Sequence, residues 1–127
     1  MSKTVVKTLD APAAVGPYSQ GIRAGDLIFV SGQLPMTPGG ELITDDIAAA
    51  ADRSLQNVRA VLEAAGASMI DVVKVTVFLA DMADFGAMNE VYKRYFTEPF
   101  PARAAIAVKE LPKGAPLEIE AIAVVSA

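Results

Sequence analysis

Between Asp46 and Gly66 the chain carries an apolar stripe that an α-helix brings to one face. Ile47, Ala51, Leu55, Val58, Leu62 and Ala65 follow one another at steps of three and four, the period of a helix buried along one side. Asp52, Arg53, Gln56, Arg59 and Glu63 fall off that line and are expected to face water. Thr44, Asp45 and Asp46 offer N-terminal caps, and Gly66 stands where a left-handed C-cap is expected. Such a helix needs an apolar layer to lie on, and the rest of the chain supplies strands.

Residues 3–9 (KTVVKTL) read as a first strand, followed by a Pro- and Gly-broken loop over 10–19. Residues 20–24 and 27–31 read as a hairpin around Gly25-Asp26. The β-branched run 72–79 (VVKVTVFL) is a further strand. Asp84 can cap a second helix on which Phe85, Met88, Tyr92 and Tyr95 or Phe96 again step by three and four, with Pro99 and Pro101 ending it. Residues 102–109 and 117–125 are the last strands, joined by the turn in LPKGAP. This order predicts an α+β fold, a mixed β-sheet of about six strands with two helices on one face. The strands are apolar on both sides, so the second face needs a cover as well, and an oligomer is the simplest one.

At 127 residues the chain is expected to form one domain over 1–127. Eleven Lys and Arg against fifteen Asp and Glu leave a net charge of −4, and no basic run or stripe occurs. Nucleic-acid binding through phosphate neutralisation is disfavoured. No segment approaches the roughly 20 apolar residues of a membrane span. The first residues carry neither a signal peptide nor an Arg-rich targeting pattern, which makes a cytoplasmic location the expectation. Cysteine and histidine are both absent. Disulfides, thiol nucleophiles, thiolate or imidazole metal sites and a His-dependent triad are thereby removed. Chemistry on this chain falls to carboxylates, Arg, Lys, Tyr, Ser, Thr and backbone groups.

Two stretches stand out against that short inventory. In LEIEAIAVV, Glu118 and Glu120 share one face of a strand. Their spacing fits a wet strand end, or a polar pocket in which close carboxylates raise one pKa toward general acid/base work. In FPARAAIAV, Arg103 is either a strand-end charge in water or an anchor with room beside it. Its neighbours Ala102, Ala104 and Ala105 are small, and a guanidinium matches a carboxylate with two hydrogen bonds. Tyr18 lies in the Pro-stiffened loop VGPYSQG, and Ser31-Gly32 closes a strand where glycine permits close backbone approach. Asn89 falls off the core line of the second helix. Gly39-Gly40 is not followed by the Lys-Ser/Thr of a phosphate loop, and no cofactor motif is present.

Taken together, APAAVGPYSQG, IFVSGQLP, NVRAVLEAAG, VVKVTVFLADMADFGAMNEVY and FPARAAIAVKELPKGAPLEIEAIAV resemble the reactive-intermediate deaminases, the Rid (YjgF-like) family. The resemblance runs from about Pro12 to Val125, nearly the whole chain. It implies a chorismate-mutase-like α+β protomer assembled as a homotrimer, with clefts between subunits. It also implies hydrolysis of 2-imino acids, formed from the enamine products of pyridoxal-phosphate dehydratases, to 2-keto acids and ammonia, with no metal or cofactor. Carried over by motif, Arg103 holds the substrate carboxylate and Glu118 orients or activates water, with Glu120 in support. Tyr18, Ser31 and Gly32 line the pocket, Asn89 reaches it from the second helix, and the backbone of Ala105 contacts substrate. Many relatives have Cys where this chain has Ala105, which spares a backbone contact and rules out thiol chemistry there. Two other activities stand beside this one. A non-catalytic small-carboxylate-binding or chaperone-like stress protein could use the same scaffold, and ribonuclease action is attributed to family members. The acidic charge and missing histidine weigh against the last.

Overall fold

A computed structural model describes residues 2–125. The elements in chain order are β1 (Lys3–Val6), β2 (Gly21–Ala24), β3 (Leu27–Gln33), α1 (Ile47–Ala64), β4 (Val72–Leu79), α2 (Phe85–Tyr92), β5 (Ala102–Ala107) and β6 (Leu117–Val124). The strands form one six-stranded sheet in the order β1-β2-β3-β6-β4-β5. Only β4 and β5 run parallel; every other neighbouring pair is antiparallel. The α+β expectation holds, with both helices on the same face of a mixed sheet.

Helix α1 begins where the sequence places it. The Asp46 carboxylate accepts from the Ala49 amide at 3.2 Å, satisfying one of the free donors of the first turn. Gly66 follows the helix at φ +84°. Leu55, Val58, Val61 and Leu62 are fully buried against Ile28, Val75, Val77 and Ile119 of the sheet. Each such side chain contributes roughly 1.5–3 kcal/mol on leaving water. The helix approaches β2 closely because Gly21 has no side chain: a Cβ there would lie 2.8 Å from Val61 Cγ1.

Other expectations shift by a few residues for local reasons. Strand β1 stops at Val6, and the Thr8 backbone bonds instead to the Gln20 side chain. Strand β3 runs on past Ser31 to Gln33 through a bulge between Val30 and Gln33. Asp84 makes no capping bond to α2; the cap moves upstream to Asp81, which accepts from Ala83 at the start of a short 3₁₀ turn. Helix α2 ends at Tyr92, short of Tyr95 and Phe96, and Phe96 still reaches the core.

Two buried side chains tie loops to this frame. Gln20 accepts from the Thr8 amide at 2.8 Å. Its Nε2 faces the carbonyls of Thr8, Ala11 and Pro12 at 3.0, 3.3 and 2.8 Å, so one residue fastens the segment after β1. Asn57 on α1 is fully buried and donates to the carbonyls of Leu34 and Met36, holding the segment after β3.

Among the described residues, no helix lies on the sheet's second face. Residues paired across strands share a face, so Val5, Ile22, Phe29, Ile122, Lys74 and Ala102 form a row across all six strands. Val5, Phe29, Leu27, Ile106 and Val124 stay exposed there, a patch of the kind that marks an association surface. The close seat of α1 on Gly21 is testable in the same frame. Gly21→Ala forces Val61 or the helix to shift and is expected to lower unfolding free energy by about 1–3 kcal/mol, read from the midpoint in a denaturant titration.

Candidate functional site

Glu118 and Gly32 occupy the core of one cavity. Strand β6 alternates, with Leu117, Ile119, Ala121 and Ala123 buried under the helices and Glu118 and Glu120 on the open face. Beside it the β3 bulge brings Ser31 and Gly32 alongside Glu118. The contact is so close that a Cβ on Gly32 would lie 2.7 Å from a Glu118 carboxylate oxygen. The missing side chain is therefore what lets the carboxylate lie flat on β3. A cavity of about 700 Å³ opens over this pair, lined also by Tyr18, Ser31, Leu34, Met36 and Lys113.

Burial, and then the charge of Glu120, hold the Glu118 carboxyl above its ordinary range. Both causes penalise the ionised form. A carboxylate held up in this way is a better proton acceptor than an ordinary one, the quality that general acid/base work uses. Glu120 itself is exposed and pairs across the sheet with Thr76.

Ser31 is in the cavity wall, but its hydroxyl proton is engaged by the Ser19 carbonyl at 2.5 Å. Toward the cavity it offers lone pairs, and its structural work is to hold the segment that carries Tyr18. Tyr18 is exposed, and its backbone amide donates to the Gly16 carbonyl at 2.9 Å in a tight turn.

Arg103 stands elsewhere. It pairs with Val75 and so points to the helix-covered face, at the free edge of the sheet on β5. Its Nη1 donates to Asn89 Oδ1 at 2.6 Å. The guanidinium lies 4.6 Å from the ring centroid of Tyr92 and 5.3 Å from that of Phe85. These contacts fix the direction of an exposed cation with no carboxylate partner among the described residues. Arg103, Asn89, Tyr92 and Phe100 line a separate hollow of about 390 Å³.

The expected residues thus fall into two sets. Tyr18, Ser31, Gly32 and Glu118 meet in one cavity; Arg103 and Asn89 meet in another, with Ala105 half-buried two residues further along β5. In register terms Arg103 lies level with Val75 and Glu118 with Phe78, so two strand spacings and three residues separate their Cα atoms by about 14 Å. Their side chains leave opposite faces. A single copy cannot bring both to one small molecule. The sequence reading missed Gln20 and Asn57, which hold the loops around the first set. Their only signal was a polar residue beside an apolar stripe, which most exposed residues share. Among the described residues, no group of three or more acidic side chains is placed to hold a metal ion, and no helix is long and apolar enough to cross a membrane.

Comparison with known proteins adds to this geometry. The family described as Endoribonuclease L-PSP matches residues 8–125. A RutC family protein of Pyrococcus abyssi is 52% identical over 124 residues, covering 97% of this chain and 98% of the relative. The Escherichia coli K12 protein called 2-iminobutanoate/2-iminopropanoate deaminase is 50% identical over 127 residues, covering 98% of each. The crystal structure of E. coli TdcF with bound serine superposes with a TM-score of 0.92 at 46% identity, covering 97% of this chain and 99% of that one. With the family match spanning nearly its whole length, the chain belongs to the Endoribonuclease L-PSP family, the YjgF/Rid family.

Proposed function

We propose that the protein is a 2-iminobutanoate/2-iminopropanoate deaminase that works as a homotrimer, with each site shared between two copies. The observation that carries this reading is the division of the site. One face of the sheet presents an oriented, unpaired guanidinium, and the other presents a carboxylate with a raised pKa in an open cavity. Both lie on a protomer with an uncovered apolar sheet face. Association through that face buries Phe29, Leu27 and Val124 and supplies a way for one copy's Arg103 to meet another's Glu118. The deaminase name of relatives at about 50% identity supports the chemistry. The expected setting is the cytoplasm, with no nucleic-acid or membrane partner.

In this reading Arg103 holds the substrate carboxylate through two hydrogen bonds, steadied by Asn89 and the Tyr92 ring. The protonated imine carbon is already electrophilic, so placement of water is most of the task. Glu118 removes a proton from water as its oxygen bonds to C2, giving a carbinolamine. The proton then passes to the nitrogen. The C–N bond breaks, the hydroxyl oxygen forms the C=O bond, and its proton leaves with the ammonia as ammonium. The products are the 2-keto acid and ammonium, with no electron left over. Binding without turnover is a second reading, favoured by one observation: a relative's structure holds serine, a small carboxylate.

A threonine dehydratase that generates 2-iminobutanoate, with semicarbazide trapping the remaining imine, separates the two. The protein is expected to cut the trapped fraction; an unchanged fraction with measurable 2-oxobutanoate binding leaves the binding reading. Arg103→Ala is expected to lower kcat/KM about 100-fold or more with the oligomer preserved by sedimentation. Gly32→Ala pushes the Glu118 carboxylate off β3. Since that group is the far end of a flexible side chain, activity is expected to fall at least tenfold, in order of magnitude, with little change in melting temperature. Glu118 must be ionised to act as base, so kcat/KM falls as pH drops through a pKa above the ordinary 4.5. Glu120→Gln removes the neighbouring charge and is expected to move that acid limb to lower pH; an unmoved limb takes Glu118 out of the role of base.

A further inference from the structure

Between β5 and β6 the chain makes a tight turn over Pro112–Gly114, in which Lys113 sits at φ +60° and ψ +18°. It is the one non-glycine with positive φ among the described residues. The turn is closed on both sides. The Gly114 amide bonds to the Leu111 carbonyl and the Ala115 amide to that of Pro112, each at 3.1 Å. Ala115 and Leu117 are buried immediately afterwards. The left-handed conformation is therefore imposed by the route of the chain. The residue that fills it is not, since glycine or asparagine meets that conformation at lower cost. A lysine kept at such a position asks for a use of its side chain.

Its surroundings supply one. Lys113 lines the same cavity as Glu118, and these two are the only charged residues among those lining it. Lys113 forms no ion pair with any described carboxylate. The remaining walls are apolar or neutral, and the protein's net charge is −4. An anion approaching Glu118 thus meets repulsion from the carboxylate and from the molecule as a whole. A single cation at the cavity wall counts for more in that field than it would on an open surface.

We propose that Lys113 is a specificity-determining residue that selects small anionic ligands, carboxylates above all, for the Glu118 cavity. It acts from the same chain as Glu118, independently of Arg103. The inference deepens the function proposed above and rests on it only for the identity of the substrate.

The test compares wild type with Lys113→Gly, Lys113→Met and Lys113→Arg as the full assembled protein. Calorimetry measures binding of 2-oxobutanoate and of its neutral amide at low and high salt. Both Lys113→Gly and Lys113→Met are expected to weaken 2-oxobutanoate binding by roughly three- to fivefold or more, to flatten its salt dependence, and to leave the amide unaffected. Lys113→Arg is expected to bind like wild type. Lys113→Gly, which relieves the backbone, is expected to raise the melting temperature by roughly 1–4 °C while losing anion selectivity, a combination that a turn-forming role does not produce. Unchanged anion binding in the Gly and Met variants, no 2-oxobutanoate binding by wild type, or a lower melting temperature for Lys113→Gly would each overturn the proposal. Selective binding without imine turnover by wild type leaves Lys113 in place and defeats the deaminase reading; turnover with Lys113-independent binding does the reverse.

Discussion

A sheet apolar on both faces, in a chain with helices enough for one, is the constraint on which the rest of this molecule depends. The α1 stripe and α2 cover the side on which Ile28, Val75, Val77 and Ile119 lie. The side carrying Val5, Phe29, Ile122 and Ala102 has no helix of this chain against it among the described residues. Exposed apolar area of this kind marks an association surface. The same alternation that makes the sheet two-sided sends Arg103 one way and Glu118 the other.

Within one copy, the two halves are prepared differently. The Arg103 half is rigid by packing and one charge-assisted bond: an amide oxygen at 2.6 Å and two aromatic faces hold the guanidinium, leaving its outward donors free. The Glu118 half is prepared by removal of obstacles. Gly32 has no side chain where the carboxylate lies, and the bulge at Ser31 turns the strand so that the two meet. The loops forming the cavity walls are held by ties to the frame as well as by their own internal hydrogen bonds. Gln20 fastens one, with help from Ser31, and Asn57 fastens another; nearly buried Gln20 bonds loop backbone through both its donor and its acceptor, while fully buried Asn57 donates to loop carbonyls and its Oδ1 accepts from Arg53 Nη2. A cavity built this way keeps its shape because moving a wall leaves buried amides without partners.

Much of the fold was legible from residue order. The α1 span, its Asp46 cap and Gly66 exit, the Val72–Leu79 strand and the two-sided hydrophobicity all follow from periods of 3.6 and 2 and from local cap chemistry. Boundaries slipped where another partner, near or far, competed for the same backbone. Strand β1 gives up Thr8 to Gln20, and α2 loses its Asp84 cap to the Asp81 turn. The site residues were nameable through the resemblance that GPYSQ, SGQ, PAR and EIEA carry together. The residues alone left Arg103 as either a strand-end charge or an anchor with room beside it, and the side chain is exposed, though seated.

By itself the sequence determined the class of chemistry, since a chain without Cys and His has carboxylate, guanidinium and backbone groups to work with. It also determined which segments form helix and strand, because those choices rest on neighbours within a few residues. Only the tertiary structure decided that Gly32 makes room for Glu118, that Asn89 and Tyr92 seat Arg103, and that these two sets look out from opposite faces. Those facts depend on strand order and register, on β6 inserting between β3 and β4. Register is set by contacts between segments about forty to nearly a hundred residues apart in the chain, and no local pattern encodes which of two apolar faces the helices will choose.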